Sequence, residues 1–171
     1  MKIFDKSTGT ERKTAMKMLF RQRFSSWLDS YDVHAEDGTV LFTAKGVLGW
    51  GHTLKIFTPD GREAGMIRER PLTFLNPVFD LTVNGREASC IIHGFYVFRP
   101  SFTLDFRNWK ISGDWLSWNY RIMCGNTSVA TITNRFRWNL HDTYEIDVKV
   151  PDDALAALMV AIAIDAVKCS K

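Results

Sequence analysis

Eleven consecutive apolar residues near the end of the chain decide the fold: residues 154–164 read ALAALMVAIAI. A helix that is apolar on every side is buried either in a protein core or in a membrane. As a helix, residues 154–167 would span about 21 Å, whereas a membrane crossing needs about 20 apolar residues. The segment is therefore too short to cross a bilayer, and we expect the protein itself to surround it. Asp165, inside this segment, must then reach water, a helix cap or a cation.

The preceding part of the chain, from about residue 16 to residue 150, has the alternation that is typical of short β-strands. Residues 79–83 read FDLTV, residues 102–106 read FTLDF and residues 144–148 read YEIDV. In each stretch, apolar side chains turn to one face and polar side chains to the other. This pattern predicts a one-layer antiparallel sheet or barrel with one face in the core and the other in water.

Turn signals separate the predicted strands. Asp37-Gly38, Asp60-Gly61 and Asn84-Gly85 are residue pairs that favour tight hairpins, because Gly and Asn tolerate positive φ. They recur at nearly equal spacing, and residues 61–64 and 85–88 share the sequence GREA. We interpret this as a repeated hairpin, and three or four such hairpins can close into a barrel. The apolar segment 154–167 fits the interior of that barrel.

Charge and cysteine content limit the function classes. The formal net charge is +3, and residues 1–25 carry seven of the 22 cations but only two of the 19 acidic residues. The rest of the chain is slightly acidic, which argues against nucleic-acid binding. We predict a basic N-terminal extension over residues 1–15 and a single domain over residues 16–171. Three widely spaced cysteines and the lack of an apolar leader predict a cytoplasmic protein.

The order of these features resembles the LURP-one-related family, whose fold is similar to the tubby C-terminal domain and the phospholipid scramblases. The stretches that carry the resemblance are residues 18–24 (MLFRQRF), 31–46, 50–56, 64–69 (AGMIRE), 142–147 (DTYEID) and 161–167 (AIAIDAV). It covers about residues 16–168. The resemblance implies a closed antiparallel barrel of about twelve strands around a central hydrophobic C-terminal helix. It also implies recognition of anionic phospholipid headgroups, as in tubby-like domains.

The sequence contains no motif for catalysis, for a metal or for a cofactor, so we expect a non-enzymatic binding module with no catalytic residue, metal site or cofactor. Lys45, Lys55, Arg68 and Arg70 flank adjacent predicted hairpins and form a candidate lipid-binding basic patch. Acidic residues lie among them in the sequence, which favours the alternative of a mixed, solvated face.

Three functions follow as hypotheses. The first is peripheral recognition of an anionic membrane surface, without a transmembrane segment. The second is a protein-interaction or scaffold domain with an unidentified partner protein. The third, an enzyme or small-ligand carrier, would use a pocket lined by Trp50, Trp118 and Trp138, but core packing is the commoner role of such residues.

Overall fold

The computed structural model describes residues 15–21, 30–48, 52–73, 77–91, 103–105, 107–114, 117, 119–135 and 143–169. Within these ranges, twelve β-strands are followed by one α-helix. The strands are β1 (Met16–Arg21), β2 (Ser30–Ala35), β3 (Val40–Val47), β4 (Thr53–Phe57), β5 (Glu63–Glu69), β6 (Val78–Val83), β7 (Arg86–Ile91), β8 (Thr103–Asp105), β9 (Trp109–Asp114), β10 (Asn119–Cys124), β11 (Thr127–Arg135) and β12 (Thr143–Val148). The helix α1 (Ala154–Cys169) follows a 3-10 turn (Pro151–Asp153).

The strands pair antiparallel in chain order, and β1 also pairs with β12. Met18 of β1, for example, lies opposite Ala35 of β2 on one side and opposite Ile146 of β12 on the other. β1 therefore has a strand partner on each side. The shortest strand pairing is the one between β8 and β9, for which one residue pair, Thr103 opposite Lys110, is in register. Of the predicted fold class, the mainly antiparallel β structure with one C-terminal helix is confirmed.

The helix α1 is the centre of the core. Every residue from Ala154 to Ala166 is at most 6% exposed. The helix contacts β5 and β6 and also β11 and β12. In the order of the twelve strands, β11 lies six strands from β5, and β12 lies six strands from β6. The helix therefore lies between opposite parts of the sheet, as its uniformly apolar surface predicts. It ends at Cys169, two residues beyond the predicted end at Val167.

Asp165 is fully buried, at 0% exposure, so of the three expected environments, water, a helix cap or a cation, water is excluded. Its carboxylate lies near Tyr31 of β2. Burial is the main reason that the pKa of Tyr31 is raised well above its ordinary value, and the negative charge of Asp165 raises it further. A neutral phenol and a buried carboxylate thus share the end of the core where α1 finishes.

One glycine marks the closest approach of the helix to the sheet. Gly65 of β5 is buried, and a Cβ atom placed on it would lie 2.9 Å from Met159 Sδ and 3.0 Å from the backbone oxygen of Thr82. Real Cβ atoms almost never come so close to another heavy atom. The absence of a side chain at Gly65 therefore gives Met159 its place against β5.

The predicted hairpin turns are confirmed. Gly38, Gly61 and Gly85 follow β2, β4 and β6 and have φ values of +86°, +82° and +74°. Asn84 also has a positive φ, of 49°, as a tight two-residue turn requires. The inward face of β6 alternates as predicted, with Phe79, Leu81 and Val83 all buried.

Several predicted features lie outside the described residues. They are the connectors with Trp50, Trp118 and Trp138, and residues 1–14 of the basic extension. Of the predicted strand 102–106, the structure describes β8, and its Leu104 is buried as the alternation requires.

Candidate functional site

Three of the four predicted basic residues share one outer face of the sheet. Ala44, Leu54 and Ile67 turn into the core, so the residues that follow each of them in the strands point outward. These are Lys45 of β3, Lys55 of β4 and Arg68 of β5, which we call the basic face. Lys45 lies directly opposite Lys55 across the strand pair. Arg68 is two positions from Met66, the partner of Lys55, so it sits diagonally next to Lys55.

Arg70, the fourth predicted residue, is paired with an acidic partner. Its Nε lies 3.0 Å from both carboxylate oxygens of Asp80, and its Nη2 lies 2.6 Å from Oδ1. The hydrogen bonds from Arg70 to Asp80, with the attraction between the charges, raise the pKa of the guanidinium. This bidentate pair neutralises Arg70. The structure thus places Arg70 beside the basic face, as a compensated charge.

The other cations differ in how far they are neutralised. Lys55 Nζ donates to Glu63 Oε2 at 2.8 Å. Lys45 Nζ lies 5.3 Å from the centre of the Phe57 ring, a cation–π distance. Among the described residues, neither Lys45 nor Arg68 forms an ion pair. The basic face therefore keeps two cations without an ion pair in the described part of the chain, around a third that has one. Arg68 lies opposite Asp80 across β5 and β6, but Asp80 is ion-paired with Arg70.

A histidine and a glutamate lie next to this face, at the rim of the sheet where β3 and β5 end and β4 and β6 begin. We call such a rim an edge of the sheet. His52 Nδ1 is 2.5 Å from Glu69 Oε2, and the backbone N–H of Glu69 donates to the carbonyl of His52 at 2.8 Å. These contacts tie the start of β4 to the end of β5. The end of β3 and the start of β6, which pair with these two strands, lie at the same edge of the sheet.

A surface cavity of about 700 Å³ lies on a different face, across β2, β1, β12 and β11. Its lining includes Leu19, Tyr31, Asp32, His34, Glu36 and Arg135. Arg135 forms an ion pair with Glu145, and Glu36 forms one with Lys17 at 3.0 Å. The lining contains both acidic and basic side chains, so the cavity has no strong charge of one sign.

Two further findings concern a metal site and a membrane-spanning helix. In the described ranges, no group of three or more His, Cys, Asp or Glu residues is arranged to hold a metal ion. The same part of the chain contains no helix that is long and apolar enough to cross a membrane.

Comparison with known proteins identifies the family of the chain and a solved structure with a similar fold. The model of the LURP-one-related family matches residues 16–165, which is nearly the whole sequence. The chain belongs to the LURP-one-related family. Among solved structures, the fold of this LURP-one-related protein is similar to the X-ray structure of a protein from Arabidopsis thaliana, with a TM-score of 0.61 and 16% sequence identity over 90% of this chain and 92% of that chain. No curated protein matches the sequence.

The cavity of this LURP-one-related protein was not predicted from its sequence. Its lining comes from both ends of the chain, since β1 and β2 supply Leu19, Asp32 and His34, whereas β11 supplies Arg135. These residues meet only because β1 pairs with β12. No local motif marks such a meeting. The alternation of β1 and β12 identifies which of their residues point outward, but it does not identify their neighbours.

Proposed function

We propose that this protein is a non-enzymatic, cytoplasmic binding module that docks peripherally on membranes containing anionic phospholipids. The basic face would make the contact. The observation that carries the proposal is the juxtaposition of Lys45, Lys55 and Arg68 on one outward surface of β3, β4 and β5.

The electrostatics of this face favour an anion. Like charges directly opposite each other on antiparallel strands are destabilising, and Lys45 lies opposite Lys55. A phosphate group between them would relieve that repulsion. Each cation near an anionic membrane surface contributes about 1 kcal/mol. With two cations that form no ion pair among the described residues, Asp80 opposite Arg68, and Lys55 shared with Glu63, the expected binding is weak, reversible and sensitive to salt.

The test is sedimentation of the protein with phosphatidylcholine vesicles, with and without phosphatidylserine. The wild-type protein is expected to bind preferentially to the anionic vesicles, and added salt is expected to weaken that binding. The double variant Lys45→Glu/Arg68→Glu is expected to bind at least roughly tenfold more weakly, because it loses two attractions and gains two repulsions.

A matched control is available on the opposite part of the sheet. Lys110 of β9 and Arg121 of β10 are exposed, and half of the strand order separates β10 from β4. The variant Lys110→Glu/Arg121→Glu changes the net charge by the same amount but leaves the basic face intact. Equal loss of binding in both double variants would show that net charge, and not the basic face, attracts the protein. The proposal is refuted if the wild-type protein binds equally well to vesicles with and without phosphatidylserine.

We also infer that the sheet closes as a barrel around α1. The pairing of β1 with both β2 and β12 supports this inference, as does the position of α1 between opposite parts of the sheet. A closed barrel has no edge strand whose free backbone N–H and C=O groups could pair with another chain. The flat outer surfaces of the strands and the loops at the two ends are then the surfaces on which a partner docks.

A second candidate function, recognition of a protein segment, is favoured by the cavity across β2, β1, β12 and β11. Its volume of about 700 Å³ is in the range of ligand-binding clefts, and its mixed charges suit a polar peptide. The sedimentation experiment separates the two functions. Wild-type protein that binds no anionic vesicle would leave this face as the surface to test.

A further inference from the structure

Large exposed apolar side chains are concentrated at one edge of the sheet. In the described part of the chain, four large hydrophobic residues are exposed, and three of them lie in or next to the connections β3–β4 and β5–β6. These are Val47, Leu48 and Leu72; the fourth, Val150, lies after β12 at the opposite edge. Leu48 is 83% exposed and Leu72 is 82% exposed. Single exposed apolar residues are ordinary, but here three of four share an edge.

This apolar edge continues the basic face. Val47 lies opposite Thr53, and Thr53 lies opposite Arg68, so an exposed valine and an exposed arginine share one outward row. Leu48 is three residues beyond Lys45, a distance of about 10 Å in extended chain. Leu72 follows Arg68 of β5 and Arg70, three residues beyond the last residue of that strand. Along both connections the order is therefore first cation, then leucine.

The backbone of Leu72 adds a separate observation. Its φ is +66°, a left-handed conformation that is a genuine outlier for a bulky residue such as leucine and that Gly, Asn or Asp normally occupies. A turn of this kind gains nothing locally from a leucine, which loses both its preferred backbone and its burial. Such outliers accumulate at positions that bind a ligand or partner.

We propose that Leu48 and Leu72 are apolar anchors that enter the boundary between headgroups and acyl chains when the basic face meets an anionic membrane. The inference rests on the proposed function and adds to it the orientation of the bound protein. Peripheral elements bury their apolar side chains about 5–10 Å into this boundary. The separation of about 10 Å between Lys45 and Leu48 lets the lysine remain among the phosphates while the leucine reaches the acyl chains. The protein then stands on the edge of the sheet at which Leu48 and Leu72 lie.

The experiment compares three proteins on vesicles of phosphatidylcholine with phosphatidylserine, at low and at high salt. They are the wild type, Leu48→Asn/Leu72→Asn and the control Val150→Asn, which removes an exposed apolar residue at the opposite edge. Asparagine tolerates the left-handed conformation at position 72, so urea unfolding of the double variant should match that of the wild type. Its vesicle binding is expected to fall at least roughly tenfold, since two apolar side chains no longer leave water. The loss should persist at high salt.

The outcomes separate this inference from the proposed function. If the wild type prefers anionic vesicles and Leu48→Asn/Leu72→Asn binds equally well, the anchors are refuted and the basic face alone accounts for docking. A similar loss in Val150→Asn would also refute the inference, because the effect would not depend on the edge. If the wild type shows no preference for phosphatidylserine, the proposed function fails first, and the anchors fail with it.

Discussion

The contact between Gly65 and Met159 gives the sharpest prediction about how the helix packs against the sheet. The perturbation is Gly65→Ala, alone and combined with Met159→Ala. An alanine Cβ would lie 2.9 Å from Met159 Sδ and 3.0 Å from the backbone oxygen of Thr82. Met159 is fully buried and can yield only by displacing other core side chains. The backbone of β5 and β6, which are paired here, cannot yield cheaply.

The magnitude follows from opposing effects. Overpacking a core by one methyl group costs about 1–3 kcal/mol. Replacing glycine by alanine within a strand returns about 0.5–1 kcal/mol of backbone entropy. Because the new methyl group would meet two atoms at 3.0 Å or less, the upper part of the overpacking range, about 2–3 kcal/mol, applies. We therefore expect Gly65→Ala to lower the free energy of unfolding by about 1–2.5 kcal/mol. Met159→Ala alone should cost about 2–5 kcal/mol, because it leaves a cavity beside β5. In the double variant the new methyl group enters that cavity, so the combined cost should fall short of the sum by about 1 kcal/mol or more.

The assay is urea unfolding followed by tryptophan fluorescence, with far-UV circular dichroism as a second probe. Gly65→Ala combined with Leu158→Ala is the control. Leu158 is equally buried but is not among the nearest neighbours of a methyl group at position 65, so this pair should be additive. The reasoning is refuted if Gly65→Ala is as stable as the wild type, or if its pair with Met159→Ala is additive.

Two further predictions concern the pH dependence and the closure of the sheet. Burial holds the phenol of Tyr31 neutral by raising its pKa, whereas tyrosine in the unfolded chain ionises near pH 10. The unfolded state therefore loses this proton first, and the free energy of unfolding should fall as pH rises above about 10. Over this pH range the urea midpoint of Tyr31→Phe should fall less steeply than that of the wild type. Equal slopes for the two proteins would contradict the assignment. For the barrel, hydrogen exchange should show amides of β1 that point to β2 as protected as those that point to β12. Rapid exchange of one alternate set would show an open edge.

The sequence predicted the architecture because its strongest signals are local. The uniformly apolar run 154–164 has one placement in a chain of this size, and the alternation at residues 79–83 and 144–148 predicted the correct inward faces. The pairs Asp60-Gly61 and Asn84-Gly85 marked hairpins for the same reason, since positive φ is a property of the residues themselves.

The candidate site was only partly predictable. Charge positions in adjacent hairpins were enough to place Lys45, Lys55 and Arg68 on one face, because register follows from the turn. The neutralisation of Arg70 by Asp80 depends on side-chain geometry across β5 and β6, which no spacing reveals. The burial of Asp165 and the need for glycine at position 65 depend on how α1 sits in the core. These features are set by tertiary contacts.

The most direct test of the central claim, that the basic face docks on anionic membranes, is a residue-resolved map of the bound surface. Backbone amide NMR spectra of the protein would be recorded with phosphatidylcholine nanodiscs that contain or lack phosphatidylserine. The account predicts that phosphatidylserine perturbs amides of β3, β4 and β5 around Lys45, Lys55 and Arg68, together with Leu48 and Leu72, and leaves β9 and β10 unchanged. Perturbations confined to the cavity across β2, β1, β12 and β11, or none at all, would contradict it.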